Sequence, residues 1–332
     1  MLAQLPCTCT VPQVHRAWSG FLPHAPGGPA PRRRSIVTGA EPLDGIRIVS
    51  VAINLPGPAA VARLVALGAS AVTVLPPGGD PLQRYAPAYF EELHSGQDLR
   101  TADLRTEAGR AEVEGLLATA DVLVTSSRPS ALERMGLDFA RVHERHPQVC
   151  QVDIVGYPGD AAEAAGHDLT YQAAHGLIAG GRMPSTLTVD LAGAERAAAE
   201  ACASLVARAR VGEGVRREVP LSDLAQTFSG PLRAGLTGPG QPLGGGLSVY
   251  GTYDTREGRI AVAALEPHFA ATLLAALGLE PQDCTRERLG RAFSGRTAAE
   301  WQAWAAEHDI PLVAVRADPH GLDGLRTGPF SP

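Results

Sequence analysis

The sequence predicts an α/β fold: a doubly wound parallel sheet in a large part, followed by a smaller α+β part. Three observations carry this expectation. First, "GIRIVSVAI" (45–53) and "SAVTVL" (70–75) are short, β-branched apolar runs separated by the helical pattern "AAVARLVALG" (59–68), which makes a β-α-β unit. Second, the alternation continues through "AGRAEVEGLLATA" (108–120), "DVLVTS" (121–126), "RPSALERMGLDFARVHERHP" (128–147) and "VCQVDIVGY" (149–157). Third, the pattern changes beyond the Gly/Pro-rich stretch "SGPLRAGLTGPGQPLGGG" (229–246).

Each element has a local reason. "NLPGP" turns the chain out of the first strand, and the helix that follows ends at Gly68. "PPGGDP" stops the second strand, and Gly136 breaks the helical stretch 128–147. The Ala-rich run "LAGAERAAAEACASLVARARVGEG" (191–214) reads as one long helix with a glycine stop, leading into strand "REVPLSD" (217–223). In the smaller part, "YGTYDTREGRIAVAAL" (250–265) reads as a hairpin, "HFAATLLAALGL" (268–279) and "RTAAEWQAWAAEHD" (296–309) as helices, and "IPLVAV" as a last strand. The expected division is an extension over 1–42, a large part over 43–228, a linker over 229–246, a small part over 247–316 and a tail over 317–332.

Composition narrows the function. Apolar residues make up 45% and charged residues 19% of 332 residues, a globular profile. A net charge of −6 argues against nucleic acid as the main partner, while leaving room for a locally basic pocket. All 29 basic residues are arginine, so lysine Schiff-base chemistry and the GxxxxGK[ST] phosphate loop are excluded. "NLPGPAAV" is not GxGxxG, and the second strand ends in Leu75-Pro76 rather than an acid, which argues against a dinucleotide site. Five scattered cysteines (Cys7, Cys9, Cys150, Cys202, Cys284) fit a reduced, cytoplasmic setting, and Cys7-x-Cys9 has no second pair to make a metal site. No apolar run approaches the ~18 residues of a membrane span. Residues 1–42 are rich in proline and arginine, with no acid before Glu41; the prolines spoil the amphipathic helix of a transit peptide, and a disordered extension is expected.

The stretch "AGHDLTYQAAHG" (165–176) places a histidine beside a carboxylate just after an apolar strand. Loops beyond the carboxyl ends of parallel strands are where such folds hold their ligands. By themselves these residues also have plain local readings. Gly166-His167-Asp168 can cap or turn the backbone, Asp190 can N-cap the Ala-rich helix, and Glu266 before Pro267 can cap the next one. Asp168 is expected to hold local backbone, and His175 to line or cap its helix.

The segments "LPGPAAVARLVALGASAVTVLPPGGDPLQR", "DLRTEAGR", "ADVLVTSSRPSALERMGL", "GHDLTYQA", "VDLAGAE" and "YGTYDTREGRIAVAALEPHF" resemble, in that order and spacing, the family III CoA-transferases of the CaiB/BaiF type. That superfamily includes formyl-CoA and carnitine CoA-transferases and α-methylacyl-CoA racemase. The resemblance runs from about Leu43 to the C-terminus. It implies a Rossmann-like large domain, an interlocked homodimer whose sites use both subunits, and an acyl-CoA thioester as substrate with no tightly bound cofactor or metal. His167 of "GHDLTY", Asp190 of "TVDLAG" and Glu266 of "ALEPHF" match the racemase set. The resemblance makes His167 and Asp190 the proton-transfer pair and Glu266 the support for the histidine from the small domain; the transferases share the aspartate, as an acyl-carrying nucleophile, but typically lack the His and Glu. Arg128 of "SRPS" and Arg134 of "LERMGL" match positions near CoA, Arg84 follows "GGDP" as a further candidate, and a guanidinium fork suits phosphate. The resemblance thus implies a racemase or epimerase at C2 of a 2-methylacyl-CoA. CoA transfer between carboxylic acids through Asp190 is the first alternative, and a non-catalytic CoA-binding relative the second.

The chain departs from the family pattern at three points. The usual glycine loop before the histidine is "GYPGDAAEA", the basic segment near CoA is "GQDLRT" (96–101), and the tail after the catalytic aspartate is "LAGAER".

Overall fold

A computed structural model describes residues 41–178 and 180–316. All but the last two residues of the expected extension, with Cys7 and Cys9, lie outside the described residues, as does the tail 317–332.

Among the described residues, one parallel sheet contains β1 (Arg47–Ser50), β2 (Ser70–Leu75), β3 (Asp98–Thr101), β4 (Val122–Thr125), β5 (Cys150–Val155) and β6 (Arg216–Pro220). The strands lie in the order β3-β2-β1-β4-β5-β6, every neighbouring pair parallel. This is the doubly wound, Rossmann-like order. Winding reverses between β1 and β4, so the loops leaving those strands diverge and open a crevice at their carboxyl ends. β4 and β5 are buried along their whole length, as parallel strands covered on both faces must be. One face packs Ile48, Leu64, Val152 and Ala197, and the other packs Val49, Val113, Leu123 and Val142.

The helix Pro56–Val65 starts on two prolines, where a missing N–H costs nothing. Gly57 is needed there, because a Cβ would fall 2.3 Å from that of Ala52. The long helix Thr188–Val211 buries Gly193, Ala194, Ala197, Ala198 and Ala201 on one side. These small side chains let it lie close against Pro56–Val65 and β5. It begins earlier than its Ala-rich run suggested, so Asp190 sits inside its first turn and does not cap it; the cap position is Leu187, which offers no side-chain bond. The stretch 128–147 breaks at Gly136 as expected, into Pro129–Met135 and Phe139–Arg145, the second capped by Asp138.

Two strands of the parallel sheet differ from the sequence reading. β3 lies inside "GQDLRT" and has all four residues exposed, so no apolar run announces it. It is an edge strand with Asp98 paired to Arg100 at 2.9 Å, a charged edge of the kind that discourages further pairing. β6 stops at Pro220, which has no N–H to extend the ladder, and Leu221–Phe228 is a helix.

Beyond 246 the chain forms an antiparallel sheet in the order β7 (Tyr250–Asp254), β8 (Arg259–Ala263), β9 (Leu312–Ala314). It has its own core, with Tyr253, Ile260, Leu273, Phe293, Trp301 and Trp304. The helices are Pro267–Ala276, Ala298–Glu307 and the unforeseen Arg286–Phe293.

Candidate active site

The carboxyl ends of β1, β4 and β5 open onto a cleft of about 230 Å³. Ile53 and Asn54 follow β1, Ser126, Ser127 and Arg128 follow β4, and Gly156, Ala162, Ala164 and Ala165 belong to the loop after β5. His167, Tyr171 and Asp190 complete the wall. The cleft therefore lies at the reversal point, where the topology alone places a ligand.

The two central loops are pinned together. Ser126 Oγ accepts from Ile53 N–H at 2.9 Å and donates to Ile53 O at 3.2 Å. Asn54 adopts φ 69°, which asparagine tolerates better than most residues, and donates its N–H to both oxygens of buried Asp80 at 3.1 and 3.0 Å. The loop after β5 contains a single 3₁₀ turn, Gly159–Glu163. Glu163 fastens it by accepting from Ser130 N–H at 2.6 Å and Ser130 Oγ at 2.9 Å. Those bonds, helped by Arg128 and Arg134, hold the Glu163 carboxyl below the usual carboxylate range.

His167 is the extended residue that precedes helix Asp168–Ala174. Its backbone does the capping. Its N–H donates to Thr170 Oγ1 at 3.0 Å, and Thr170 Oγ1 donates to His167 O at 2.7 Å. The imidazole is left to the cleft, and His167 is solvent-exposed.

Asp168 points the other way and is buried at 3% exposure. Its Oδ1 accepts from Val189 N–H at 2.7 Å and Asp190 N–H at 3.1 Å, and its Oδ2 accepts from Gln172 Nε2 at 2.5 Å. Asp168 thus caps the long helix in place of the inert Leu187, across more than twenty residues of chain. That is the backbone-holding role expected for it, though its target is a different helix. The contact also ties Asp190 to the turn that carries His167.

Burial, and behind it the Asp168 carboxylate, push the Asp190 carboxyl up to about 7. The sign follows from linkage: the ordinary value is 3.8, so folding favours the protonated form. Stability from this group is complete below about pH 4 and is lost as pH rises through about 7. An Asp190→Asn protein should therefore melt at a higher temperature than wild type at pH 8, with the gap closing as pH falls towards 4. A gap that stays constant over that range, read by thermal melts, would contradict the assignment.

The structure brings His167, Asp190 and Arg128 to one cleft. It does not bring Arg84, Arg134 or Glu266 there. Arg84 and Arg134 are exposed in the last turns of helices Pro81–Tyr85 and Pro129–Met135. Where Arg63 and Arg100 are engaged by carboxylates, Arg84, Arg128 and Arg134 form no salt bridge among the described residues. Glu266 is exposed and occupies the N-cap position of helix Pro267–Ala276 without a side-chain cap bond. His175 ends helix Asp168–Ala174. Sequence reasoning passed over Tyr171 and Asn54. Tyr171 stood within the quoted "GHDLTY", and its spacing of four from His167 was the available signal.

A family model described as CoA-transferase family III matches residues 43–321. The chain belongs to that family. Human alpha-methylacyl-CoA racemase is 28% identical over 289 residues, covering 78% of this family III chain and 74% of that protein. The probable fatty acyl-CoA transferase Rv3272 of Mycobacterium tuberculosis is 31% identical over 152 residues, 42% of this chain and 39% of that protein. Succinate–glutarate CoA-transferase of Agrobacterium fabrum is 31% identical over 153 residues, 41% of this chain and 38% of that protein. With the latter two, the match spans about two fifths of the relative's own length. The crystal structure of Rv3272 superposes with a TM-score of 0.73 at 25% identity, covering 86% of this chain and 87% of that one. A CAIB/BAIF family protein from Brucella suis shares the fold, with a TM-score of 0.72 at 24% identity over 84% and 86% of the two chains. Both racemases and CoA-transferases stand among the relatives, so membership of the family supports an enzyme without choosing between the two. Among the described residues, no helix is long and apolar enough to cross a membrane.

Proposed function

We propose that this family III protein is a racemase or epimerase that moves the C2 proton of a 2-methylacyl-CoA through an enolate. The observation that carries the reading is the pairing of His167 with Asp190 in one cleft, the carboxyl lifted to about 7. A proton α to a thioester must leave one face of a planar enolate and return to the other, so two groups titrating near neutrality are required. Histidine can both take and give a proton, and burial raises Asp190 towards neutrality. One removes the C2 proton while the other, in its protonated form, delivers one to the opposite face. A carboxyl raised towards neutrality suits that exchange better than it suits a permanently ionised nucleophile.

CoA enters as part of the substrate. Arg128 at the cleft, with Arg84 and Arg134 outside it, is proposed to meet its phosphates. Glu266 is proposed to reach the histidine of a second copy, in a homodimer. If so, mixing His167→Ala chains with Glu266→Ala chains should restore activity that neither has alone, since one of the two mixed sites regains both groups. Failure to restore it under conditions of subunit exchange would remove Glu266 from the site.

The names of the transferase relatives favour a second reading, CoA transfer with Asp190 as nucleophile. The test is incubation with one enantiomer of a 2-methylacyl-CoA together with an isotopically labelled free acid. Inversion at C2 without label in the thioester supports the racemase. Label in the thioester without inversion supports transfer, and neither outcome would point to a protein that binds CoA without turnover.

A further inference from the structure

The cleft wall also carries a phenol, that of Tyr171. Tyr171 is buried at 2% exposure, its ring edge-on to Tyr157 with centroids 5.3 Å apart. A buried phenol normally engages its hydroxyl, as Tyr253 does with Ser248 O. Tyr171 Oη makes no hydrogen bond among the described residues, and the side chain lines the cleft.

The backbone is shaped around that hydroxyl. A Cβ on Gly156 would lie 2.5 Å from Tyr171 Oη, and a Cβ on Gly166 would lie 2.6 Å from it. The phenol therefore fills a slot between the end of β5 and the residue before His167, and only glycine at both rims leaves the slot open. Tyr171 lies in the first turn of the helix that His167 precedes, its N–H donating to His167 O at 3.2 Å, and both residues line the cleft. Burial, then the neighbouring Tyr157 and Asp190, push the phenol up to about 12, so it stays a donor at neutral pH. A protonated donor with no partner among the described residues, lining the same cleft as both proton-transfer candidates, is what a developing oxyanion requires.

We propose that Tyr171 Oη donates a hydrogen bond to the thioester oxygen of the bound acyl-CoA, holding that carbonyl between His167 and Asp190. The bond strengthens as the C2 proton leaves and charge builds on the oxygen; Tyr171 itself gives up no proton. This inference rests on the proton-transfer reading above, and its test separates the two.

The test compares wild type and Tyr171→Phe against an acyl-CoA thioester and the matching thioether, which lacks the carbonyl oxygen. Wild type should prefer the thioester by an extra factor of about 3–10 for one hydrogen bond, and Tyr171→Phe should lose that extra factor. Deuterium exchange at C2 should fall on the order of 100-fold with KM changed only a few-fold. Tyr171→Phe keeps the ring that fills the slot, and thermal melting checks that it is folded. Gly166→Ala, which drives the ring from its place, should lose the same preference. An unchanged preference in Tyr171→Phe, with exchange within about twofold of wild type, would overturn the inference. If wild type itself exchanges no deuterium, the proton-transfer reading fails, and the thioester–thioether comparison still decides Tyr171.

Discussion

Asp190→Asn and His167→Ala should each lower racemisation of a 2-methylacyl-CoA by about 10³-fold or more, since a positioned acid or base contributes about 10²–10⁴-fold and inversion needs both. The stereochemistry of what remains is more telling than the size of the loss. With two bases on opposite faces, removing one leaves the other able to take and return a proton on its own face. Each variant should then exchange solvent deuterium into only one enantiomer, with retention, and the two variants should keep opposite enantiomers. Asparagine matches aspartate in shape, so its loss is a loss of proton chemistry rather than of packing. In a transferase, Asp190→Asn would abolish CoA exchange while His167→Ala would be tolerated. Chiral analysis of recovered substrate in heavy water checks all of this at once.

Asp168→Ala should have the largest effect on folding, though Asp168 is given no part in the chemistry. Its carboxylate accepts from Val189 N–H, Asp190 N–H and Gln172 Nε2 inside the protein. Loss of a helix cap costs about 1 kcal/mol, and each buried donor left without a partner costs about 1–3 kcal/mol. With the Val189 and Asp190 N–H groups counted as the cap and Gln172 Nε2 as the stranded donor, a destabilisation of roughly 2–4 kcal/mol is expected, measurable by urea unfolding with little change in slope. Activity should fall as well, because the same carboxylate fixes the turn that carries Asp190. A loss under about 1 kcal/mol would mean the helix start is held by other contacts.

The sheet was legible because its strands are apolar runs that a helix-period pattern interrupts. β1, β2, β4 and β5 all follow that rule. β3 did not, because an exposed edge strand needs no apolar run, and Asp98 and Arg100 serve as its guards. The start of the long helix was misjudged for a related reason. Its cap is supplied by Asp168, distant in sequence, so no capping residue marks Leu187. His167, Asp190 and Arg128 could be named from the motifs, and they share one cleft. Tyr171 needed the backbone, because the meaning of Gly156 and Gly166 emerges only when both close on one hydroxyl. Glu266 shows the opposite limit: its motif is present, yet it is exposed at a helix start and absent from the cleft wall.

The raised Asp190 carboxyl also links stability to function. A partly buried acid beside another carboxylate disfavours its charged form, and the protein is less stable above neutrality than an amide at that site would make it. Such a trade is common where a site needs a group poised near pH 7.

The most direct test of the central claim is incubation of the wild-type protein with one enantiomer of a 2-methylacyl-CoA in heavy water, following C2 by mass spectrometry and chiral separation. Proton transfer through an enolate predicts deuterium at C2 together with inversion. A thioester that keeps its C2 proton and its configuration, while CoA moves to an added carboxylic acid, would contradict it.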